Sequence, residues 1–348
     1  MTVGIGLIGA GAMGADHLAI LARDVAGARV AAVADTDTAR VSTLVEQLGL
    51  SGAEITADPY RLVGLPQVDA VLVASPDDTH HDLVLACLDL GKPVLCEKPL
   101  ATTSHGCRRI VDREIEVGRR LIQLGYMRRF DPGYVEMKRA LGTGRVGAAL
   151  MLHCRHRNAT ALPWFTPEMP LLNSAVHEID AVRWLLDADV TRVSVYDPRS
   201  TRHAATGMAD PRLVVLETSS GAVVDIEVFV NARYGYDVRC ELVAEDGTLS
   251  LIPPAPLRTR TDGTEGTAIA DDFRERFADA YRRQLQHWVG SIRDDVATGA
   301  SAWDGYAASR TAEACVSAAA TGRAIDLEPA EIPPLYARSS TASITSHH

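Results

Sequence analysis

The chain has 348 residues, enough for about two domains at roughly 150 residues each. An apolar content of 47% and a charged content of 23% are ordinary for a globular protein that buries a core. The net charge of −10 argues against a nucleic-acid-binding surface, and no apolar run reaches the roughly 18 residues of a membrane span.

The N-terminus and the cysteines indicate the compartment. The chain enters an apolar strand at once, without the basic region and cleavage site of a signal peptide. The six cysteines are scattered and form no CxxC pair, which is typical of reduced thiols. We therefore expect a soluble cytoplasmic protein with no nucleic-acid partner, no membrane partner and no metal.

Short apolar segments alternate with helical segments over the first 125 residues. Strands are predicted at 3–9, 28–35, 69–75, 93–99 and 120–126, and helices at 79–90 and 103–118. This alternation indicates βαβ units, a parallel sheet and helices on both of its faces. Residues 1–125 are thus predicted to form a doubly wound α/β domain.

The pattern changes after residue 126. A helix is predicted at 132–141, and strand-like runs follow at 149–158, 212–231 and 236–251. Turn signals at Ser219-Ser220-Gly221 and Asp246-Gly247 divide the last two runs into antiparallel hairpins. With helices at 174–186, 271–297 and 302–321, residues 126–338 form a predicted second domain, and the polar residues 339–348 a disordered tail.

Gly9-Ala10-Gly11-Ala12-Met13-Gly14 is a GxGxxG motif between a strand and a helix. Its glycines permit a tight turn and the approach of a pyrophosphate to the helix N-terminus. Asp35, 21 residues beyond Gly14, can accept from the ribose hydroxyls and would repel a 2′-phosphate. The alternative is a glycine turn with the same motif that only packs the helix on the sheet. The combination of strand, turn, helix and acidic residue favours a binding site for NAD.

Other predicted cofactor contacts follow strands whose carboxyl ends border the ligand crevice. Lys98, at the end of the strand at 93–99, can bind a substrate hydroxyl and stabilise negative charge on it. The alternative is a surface lysine paired with Glu97. The complete predicted cofactor set is Gly9, Gly11, Ala12, Met13, Gly14, Asp35, Ser75, Pro76, His80, Glu97 and Lys98.

Asn173, His177 and Asp180 are spaced i, i+4 and i+7, so they are predicted to share one helical face. A histidine on such a polar stripe can act as a general base near neutral pH. The alternative is a capping Asn173 beside a structural histidine. His153 and His156 alternate along a strand without the further partners that a metal site needs.

Together these motifs resemble the glucose–fructose oxidoreductase/inositol dehydrogenase/MocA family, with the closest likeness to its inositol 2-dehydrogenase branch. The resemblance covers roughly residues 3–325. It rests on GAGAMG (9–14), KPVLCEKPLATT (92–103), YMRRFDPGY (126–134), HCRHRN (153–158), NSAVHEIDAVRWLL (173–186), LETSSGAVVDIEVFVNARYGYDVRCE (216–241) and SAWDGYAAS (301–309).

The resemblance implies a Rossmann domain followed by an α/β domain with a large open, mostly antiparallel sheet, usually assembled into a homotetramer through that sheet. It implies NAD-dependent oxidation of a cyclitol hydroxyl to a ketone, most often myo-inositol to scyllo-inosose. His177 would be the general base with Lys98 assisting, and the Lys98–Pro99 bond would be cis. The implied substrate contacts are Lys98, Met127, Arg128, Asn158, Asn173, Ser174, His177 and Tyr236.

Asn173 departs from the family pattern, which has an Asp four residues before the histidine. A carboxylate orients the imidazole and stabilises the imidazolium, and the analogous change in a serine protease triad costs about 10⁴-fold in kcat. Two explanations stay open: Asp180 supplies a compensating charge, or the site has a shifted pH optimum or a different cyclitol.

The sequence distinguishes neither the inositol stereoisomers nor oxidation from the reduction of a keto-cyclitol. Two other classes of function are alternatives. One is a glycosidase that retains NAD, and the other is a non-catalytic NAD-binding protein. The joint presence of Lys98 and His177 in their family motifs favours the dehydrogenase.

Overall fold

The computed structural model describes residues 2–252 and 257–337, and its first large sheet is built from the N-terminal third of the chain. The strands of this sheet are β1 (Val3–Ile8), β2 (Ala28–Ala34), β3 (Glu54–Thr56), β4 (Ala70–Val73), β5 (Val94–Cys96) and β6 (Ile122–Leu124). They lie in the order β3-β2-β1-β4-β5-β6, and all neighbours are parallel. The order reverses between β1 and β4, the position at which doubly wound sheets bind ligands.

Helices connect these strands, and local sequence signals set their ends. They are α1 (Ala12–Arg23), α2 (Thr38–Gln47), α3 (Pro59–Gly64), α4 (His80–Asp89) and α5 (Ser104–Val117). The Thr103 side chain caps α5 by accepting from the Gly106 N–H, and Gly118 ends it with φ at 73°. The predicted parallel α/β architecture of this half is confirmed.

The second large sheet is mixed, with one parallel pair among antiparallel ones. Its strands are β7 (Ala149–Arg157), β8 (Val190–Tyr196), β9 (Arg212–Thr218), β10 (Val223–Phe229), β11 (Asp237–Ala244), β12 (Gly247–Ser250) and β15 (Ile325–Asp326). Their order is β12-β11-β7-β10-β9-β8-β15, in which β7 and β10 are parallel. The two predicted hairpins, β9–β10 and β11–β12, are confirmed.

Helices cover one face of this second sheet. They include α6 (Pro132–Gly142), α7 (Val176–Leu186) and α10 (Ala302–Thr321). Residues on the covered face, such as Leu152, Cys154 and Ile226, are buried, while Met151 and Val223 on the opposite face are exposed. The sheet therefore has one face in the core and one open face.

A helix from the C-terminal third completes the core of the N-terminal half. The segment predicted as one helix at 271–297 is broken at Phe277 into α8 (Phe273–Arg276) and α9 (Ala278–Asp294). Leu285, Trp288 and Val289 of α9 are buried in the cluster that contains Ile5 and Leu18. The domain limits at residues 125 and 126 stay a prediction.

Other differences concern short elements and element ends. The sequence reading missed α2, α3, β3, β8, β15 and the exposed hairpin of β13 (Arg258–Thr261) and β14 (Thr264–Thr267). The predicted tail, 339–348, lies outside the described residues. Within those residues, all six cysteines are free and buried, and no helix is long and apolar enough to cross a membrane.

Leu285→Ala tests how much the packing of α9 against the first sheet stabilises the protein. Leu285 is fully buried against the first sheet's core, so the substitution should lower the free energy of unfolding by about 2–5 kcal/mol. Arg283→Ala, at an exposed position of the same helix, should change it by about 0.5 kcal/mol or less. Denaturant unfolding measures both, and equal effects would contradict the packing described for α9.

Candidate active site

The glycine loop between β1 and α1 has the geometry of a pyrophosphate cradle. Gly9 has φ of 86°, and a Cβ there would lie 2.5 Å from the Ser75 backbone. A Cβ at Gly14 would lie 1.8 Å from the Gly9 carbonyl oxygen, whereas one at Gly11 would meet nothing within 4 Å. Gly9 and Gly14 thus serve the turn and the packing, and Gly11 faces open space beside uncapped N–H groups of α1. The residues present fit NAD.

Asp35 lies beside this loop at the end of β2. Its Oδ2 accepts from Ala10 N at 2.7 Å and from Arg40 Nη2 at 2.9 Å, and its Oδ1 accepts from Asp37 N at 2.9 Å. Burial raises the pKa of Asp35, but these hydrogen bonds and the Arg40 charge outweigh burial and hold the pKa below its ordinary value. An ionised carboxylate therefore stands where the adenosine ribose is expected.

The loops after β4 and β5 are joined by His80. Its ring is buried, with Nδ1 at 2.7 Å from the Pro99 carbonyl oxygen and Nε2 at 2.9 Å from the Ser75 carbonyl oxygen. Both ring nitrogens are therefore used within the protein. We expect His80 to hold Ser75 and Pro76 in place beside the cofactor rather than to contact it.

Glu97 and Lys98 point to different partners, so the surface pair that the sequence left open does not form. Glu97 Oε1 lies 2.8 Å from Nε2 of the fully buried His17. Lys98 Nζ donates to Asn173 Oδ1 at 2.8 Å and to the Asn173 carbonyl oxygen at 3.3 Å. The Lys98–Pro99 bond is cis, as expected. Lys98 thus links the first sheet to the segment that precedes α7.

His177, the second residue of α7, is buried beside Lys98. Its ring meets the edge of Tyr126 at 6.1 Å and stacks on His156 at 6.2 Å between centroids. Burial, together with the positive charges of Lys98 and Arg128, holds the pKa of His177 well below its ordinary value. Its Nδ1 is buried without a hydrogen-bond partner among the described residues.

Asn173, His177 and Asp180 do not lie on one continuous α-helix, as their spacing assumed. Residues Pro170–Ala175 form a π-helical segment, a rare winding that often occurs at functional sites, and only from Val176 is the helix α. The Asn173 side chain meets Lys98 instead of the imidazole. The amide therefore takes over neither the orienting role nor the charge of the family's Asp.

Asp180 does not supply the missing charge either. Its carboxylate receives two hydrogen bonds from Arg129, from Nε at 3.0 Å and from Nη2 at 2.6 Å. Burial raises the pKa of Asp180 more than Arg129 lowers it. Asp180 is committed to this ion pair, so the first of the two explanations for Asn173 is wrong.

Sequence reasoning missed His156 and Glu178 as members of the site. His156 Nδ1 lies 3.0 Å from Glu178 Oε2, and the Glu178 carboxylate also pairs with Arg128. All three side chains are buried. Alternation along β7 carried the signal, because His156 shares the face of Leu152 and Cys154, two apolar residues that point inward.

The other residues predicted to contact the substrate lie at different places around the His156–Glu178–Arg128 cluster. Met127 and Arg128 lie in the 3₁₀ turn Met127–Phe130, directly after β6. The ring of Tyr236 meets the edge of His156 at 5.8 Å, and burial raises the pKa of Tyr236 to about 12. Ser174 is buried in the π-helical segment. Asn158 follows β7, and its Oδ1 is buried without a partner among the described residues.

The described residues contain no group of three or more His, Cys, Asp or Glu side chains that could hold a metal ion. His153, which the sequence set beside His156, lies on the other face of β7 and pairs with Asp225. His153 and His156 therefore lie on opposite faces of β7 and in different environments.

Gly11→Ala tests the cradle. A Cβ at Gly11 meets no protein atom within 4 Å, so the variant should keep its melting temperature but bind NAD about tenfold or more weakly, because the methyl group occupies the pyrophosphate's approach. Fluorescence titration with NAD and thermal unfolding measure the two effects. Gly52→Ala, also in open space but outside the loop, is the control. Unchanged NAD affinity in Gly11→Ala would contradict the assignment.

Two family models match the chain in succession. The model "Oxidoreductase family, NAD-binding Rossmann fold" matches residues 3–126, and "Oxidoreductase family, C-terminal alpha/beta domain" matches residues 138–327. The NAD-binding Rossmann domain predicted from the glycine motif is thereby confirmed.

Individual relatives agree with these models along nearly the full length. The chain is 56% identical to inositol 2-dehydrogenase 1 of Saccharopolyspora erythraea over 97% of this chain and 99% of the relative. It is 45% identical to the inositol 2-dehydrogenase of Burkholderia ambifaria, again over 97% and 99%.

A solved structure shares the whole fold. The myo-inositol dehydrogenase of Lactobacillus casei, crystallised in complex with NAD(H) and myo-inositol, matches with a TM-score of 0.91 and 35% identity, over 97% of this chain and 100% of that one. The resemblance seen in the motifs is confirmed: the chain belongs to the glucose–fructose oxidoreductase/inositol dehydrogenase/MocA family of oxidoreductases with an NAD-binding Rossmann fold.

Proposed function

We propose that the protein oxidises a cyclitol hydroxyl to a ketone with NAD, and that myo-inositol, giving scyllo-inosose, is the substrate. The observation that carries the proposal is the meeting of Lys98, from the carboxyl edge of the NAD-binding sheet, with the Asn173–His177 segment of the second domain. Relatives with this organisation are inositol 2-dehydrogenases, and one binds NAD(H) and myo-inositol.

Lys98 serves to bind the reacting hydroxyl. Burial lowers the pKa of Lys98, and Arg128 lowers it further, against the opposite effect of Asp77 and Glu97. Its Nζ is held by two oxygens of Asn173, which aims the ammonium group at one point. A cation fixed there favours the anionic form of the hydroxyl oxygen.

The hydroxyl proton passes to a histidine beside Lys98. NAD, when bound, supplies the acceptor for the hydride that leaves the hydroxyl-bearing carbon. His177 and His156 lie side by side at this point and are buried, so water does not compete with them for the hydroxyl. The chain's own groups thus bind the alcohol, accept its proton and exclude solvent.

The direct test follows NADH absorbance with purified protein, NAD and separately myo-inositol, scyllo-inositol, D-chiro-inositol and glucose, with NADP in parallel. We expect turnover with NAD and myo-inositol, and net NADH release distinguishes a dehydrogenase from a glycosidase that retains its cofactor. If NAD binds but no cyclitol gives NADH formation, the result would contradict the proposal.

Lys98→Ala should lower kcat/KM for the cyclitol by about 100-fold or more with nearly unchanged NAD affinity, because the lost ammonium stabilises the oxygen during reaction. Lys92→Ala is the matched control, since the Lys92 Nζ donates to the Leu65 carbonyl oxygen away from the site. Steady-state kinetics and NAD titration measure both. Equal kinetics of the two variants would contradict the role of Lys98.

We further propose a cytoplasmic homotetramer that assembles through the open face of the second sheet. Free, buried thiols are in keeping with a reducing compartment. The open face carries exposed apolar side chains on adjacent strands, with Met151 of β7 opposite Val223 of β10. An apolar patch of this kind is suited to a second sheet.

Met151→Glu should break this assembly, because it places a charge in the middle of a contact between sheets. Light scattering after size exclusion measures the mass, with four chains expected for the unaltered protein and fewer for the variant. Leu90→Glu, at an exposed site on the first domain, is the control and should stay tetrameric. A monomeric unaltered protein would contradict the proposal.

A further inference from the structure

A cavity outside the candidate active site lies at the opposite edge of the first sheet. Its walls are the chain at the amino ends of β5 and β6 and the chain around the end of α9. Lys98 follows the carboxyl end of β5, and β5 and β6 are parallel, so the length of these strands separates the cavity from Lys98. The cavity measures about 170 Å³, slightly more than an engineered protein cavity of about 150 Å³ that accepts benzene.

Gln123 of β6 presents an unused donor to this cavity. Gln123 is 3% exposed, and its Oε1 accepts from the Thr298 hydroxyl at 3.0 Å. This orientation uses the only hydrogen of the hydroxyl, and it leaves Gln123 Nε2 buried without a partner among residues 2–252 and 257–337. A buried N–H group without an acceptor costs free energy, so an acceptor that enters the cavity would stabilise it.

Arg120 also lines the cavity and has no partner in the described part of the chain. Its Nε is buried without a hydrogen bond, and its guanidinium group forms no ion pair there. Glu114 is close enough to feel the charge of Arg120, but its carboxylate is already used. It accepts from two backbone N–H groups and from the Tyr336 hydroxyl. Arg120 is therefore a second donor without an acceptor, and it carries a positive charge.

The other polar groups of the cavity are paired. Arg119 Nη2 lies 2.9 Å from Asp295 Oδ1, so the charges of these two exposed side chains compensate each other. Asp295 is the one acid among the lining residues. Ser291 Oγ donates to the Trp288 carbonyl oxygen at 2.7 Å. The cavity thus offers free donors and the uncompensated charge of Arg120, which together favour a ligand with a negatively charged oxygen.

Apolar side chains make up most of the remaining lining, including Pro93 before β5 and Trp288 and Ile292 of α9. An inorganic anion would leave this surface unused, whereas an organic acid would bury its apolar part against it. We propose that the cavity binds a small organic monocarboxylate, with the carboxylate at Arg120 and Gln123 Nε2 and the apolar part against Trp288. This site is separate from the proposed dehydrogenase reaction.

Benzoate is the probe, because it has one carboxylate on a ring of the size that the cavity accepts. Calorimetric titration of the NAD-saturated protein should give a Kd of about 1 mM or below, and Arg120→Gln should raise this Kd about tenfold or more. Benzyl alcohol lacks the charge and inorganic phosphate lacks the apolar part, so both should bind about tenfold or more weakly than benzoate. Equal binding of either compound would overturn the proposal.

Two control variants show where benzoate binds. Lys98→Ala should leave the affinity for benzoate unchanged, because Lys98 lies at the other edge of the sheet. Arg109→Gln, at an exposed position of α5, should also leave it unchanged. A loss in either control as large as that in Arg120→Gln would mean binding beside Lys98 or a general effect of charge, and it would overturn the proposal. The titration needs no turnover, so an inactive protein contradicts the proposed function and not this site.

Gln123→Glu supplies a carboxylate from the chain itself. It should weaken benzoate binding about tenfold or more, because the new charge repels the ligand and can pair with Arg120. Unchanged binding would overturn the proposal. A crystal structure of the unaltered protein with NAD and benzoate decides the question even if a variant fails to fold. We expect the carboxylate within hydrogen-bond distance of Arg120 and Gln123 Nε2, and ordered water alone in the cavity would overturn the proposal.

Discussion

Two buried ion pairs hold the candidate site together. Arg128 and Arg129, in the turn that follows β6, pair with Glu178 and Asp180 of α7. Removing one partner of a buried pair typically costs about 3–5 kcal/mol, because the other charge stays buried and unpaired. These pairs therefore fix α7 against the carboxyl edge of the first sheet. Lys98 comes from β5, the neighbour of β6 at that edge, and so meets the head of α7 at one defined place.

The same constraint explains how the N-terminal and C-terminal halves of the chain are held together. The turn Met127–Phe130 belongs to the chain leaving the first sheet, yet Arg128 and Arg129 of this turn form ion pairs with α7 of the second half. In the other direction, α9 returns from the second half to bury Leu285 and Trp288 in the first. The ion pairs at α7 and the apolar packing of α9 thus hold the two sheets in a fixed relative position. Hydride transfer needs this, because the donor carbon and the acceptor must be held in one geometry.

Local signals made much of this predictable. The glycine loop, Asp35 and the Lys98–Pro99 turn depend on neighbours in the chain, and the structure places them as the sequence suggested. The two hairpins of the second sheet followed from their turn residues. The alternation along β7 also contained the information that His156 faces inward, but the sequence analysis did not use it, and the partner of His156, Glu178, lies 22 residues away.

Other features of the site and the fold could not be predicted, because they depend on contacts between residues far apart in the sequence. An i, i+4, i+7 spacing assumes an α-helix, whereas Asn173 lies in the π-helical segment Pro170–Ala175 and its side chain binds Lys98. Asp180 looked available because the sequence does not show that Arg129 binds it with two hydrogen bonds. The short strands β3 and β15 are similarly defined by their partners, β2 and β8, more than by their own residues.

A crystal structure of the protein with NADH and myo-inositol would test the central claim most directly, because the claim is a geometry. The account predicts that one ring hydroxyl lies within hydrogen-bond distance of both Lys98 Nζ and the His177 ring, with the carbon of that hydroxyl facing the nicotinamide. A ring bound with its reacting hydroxyl away from Lys98 and His177 would contradict it.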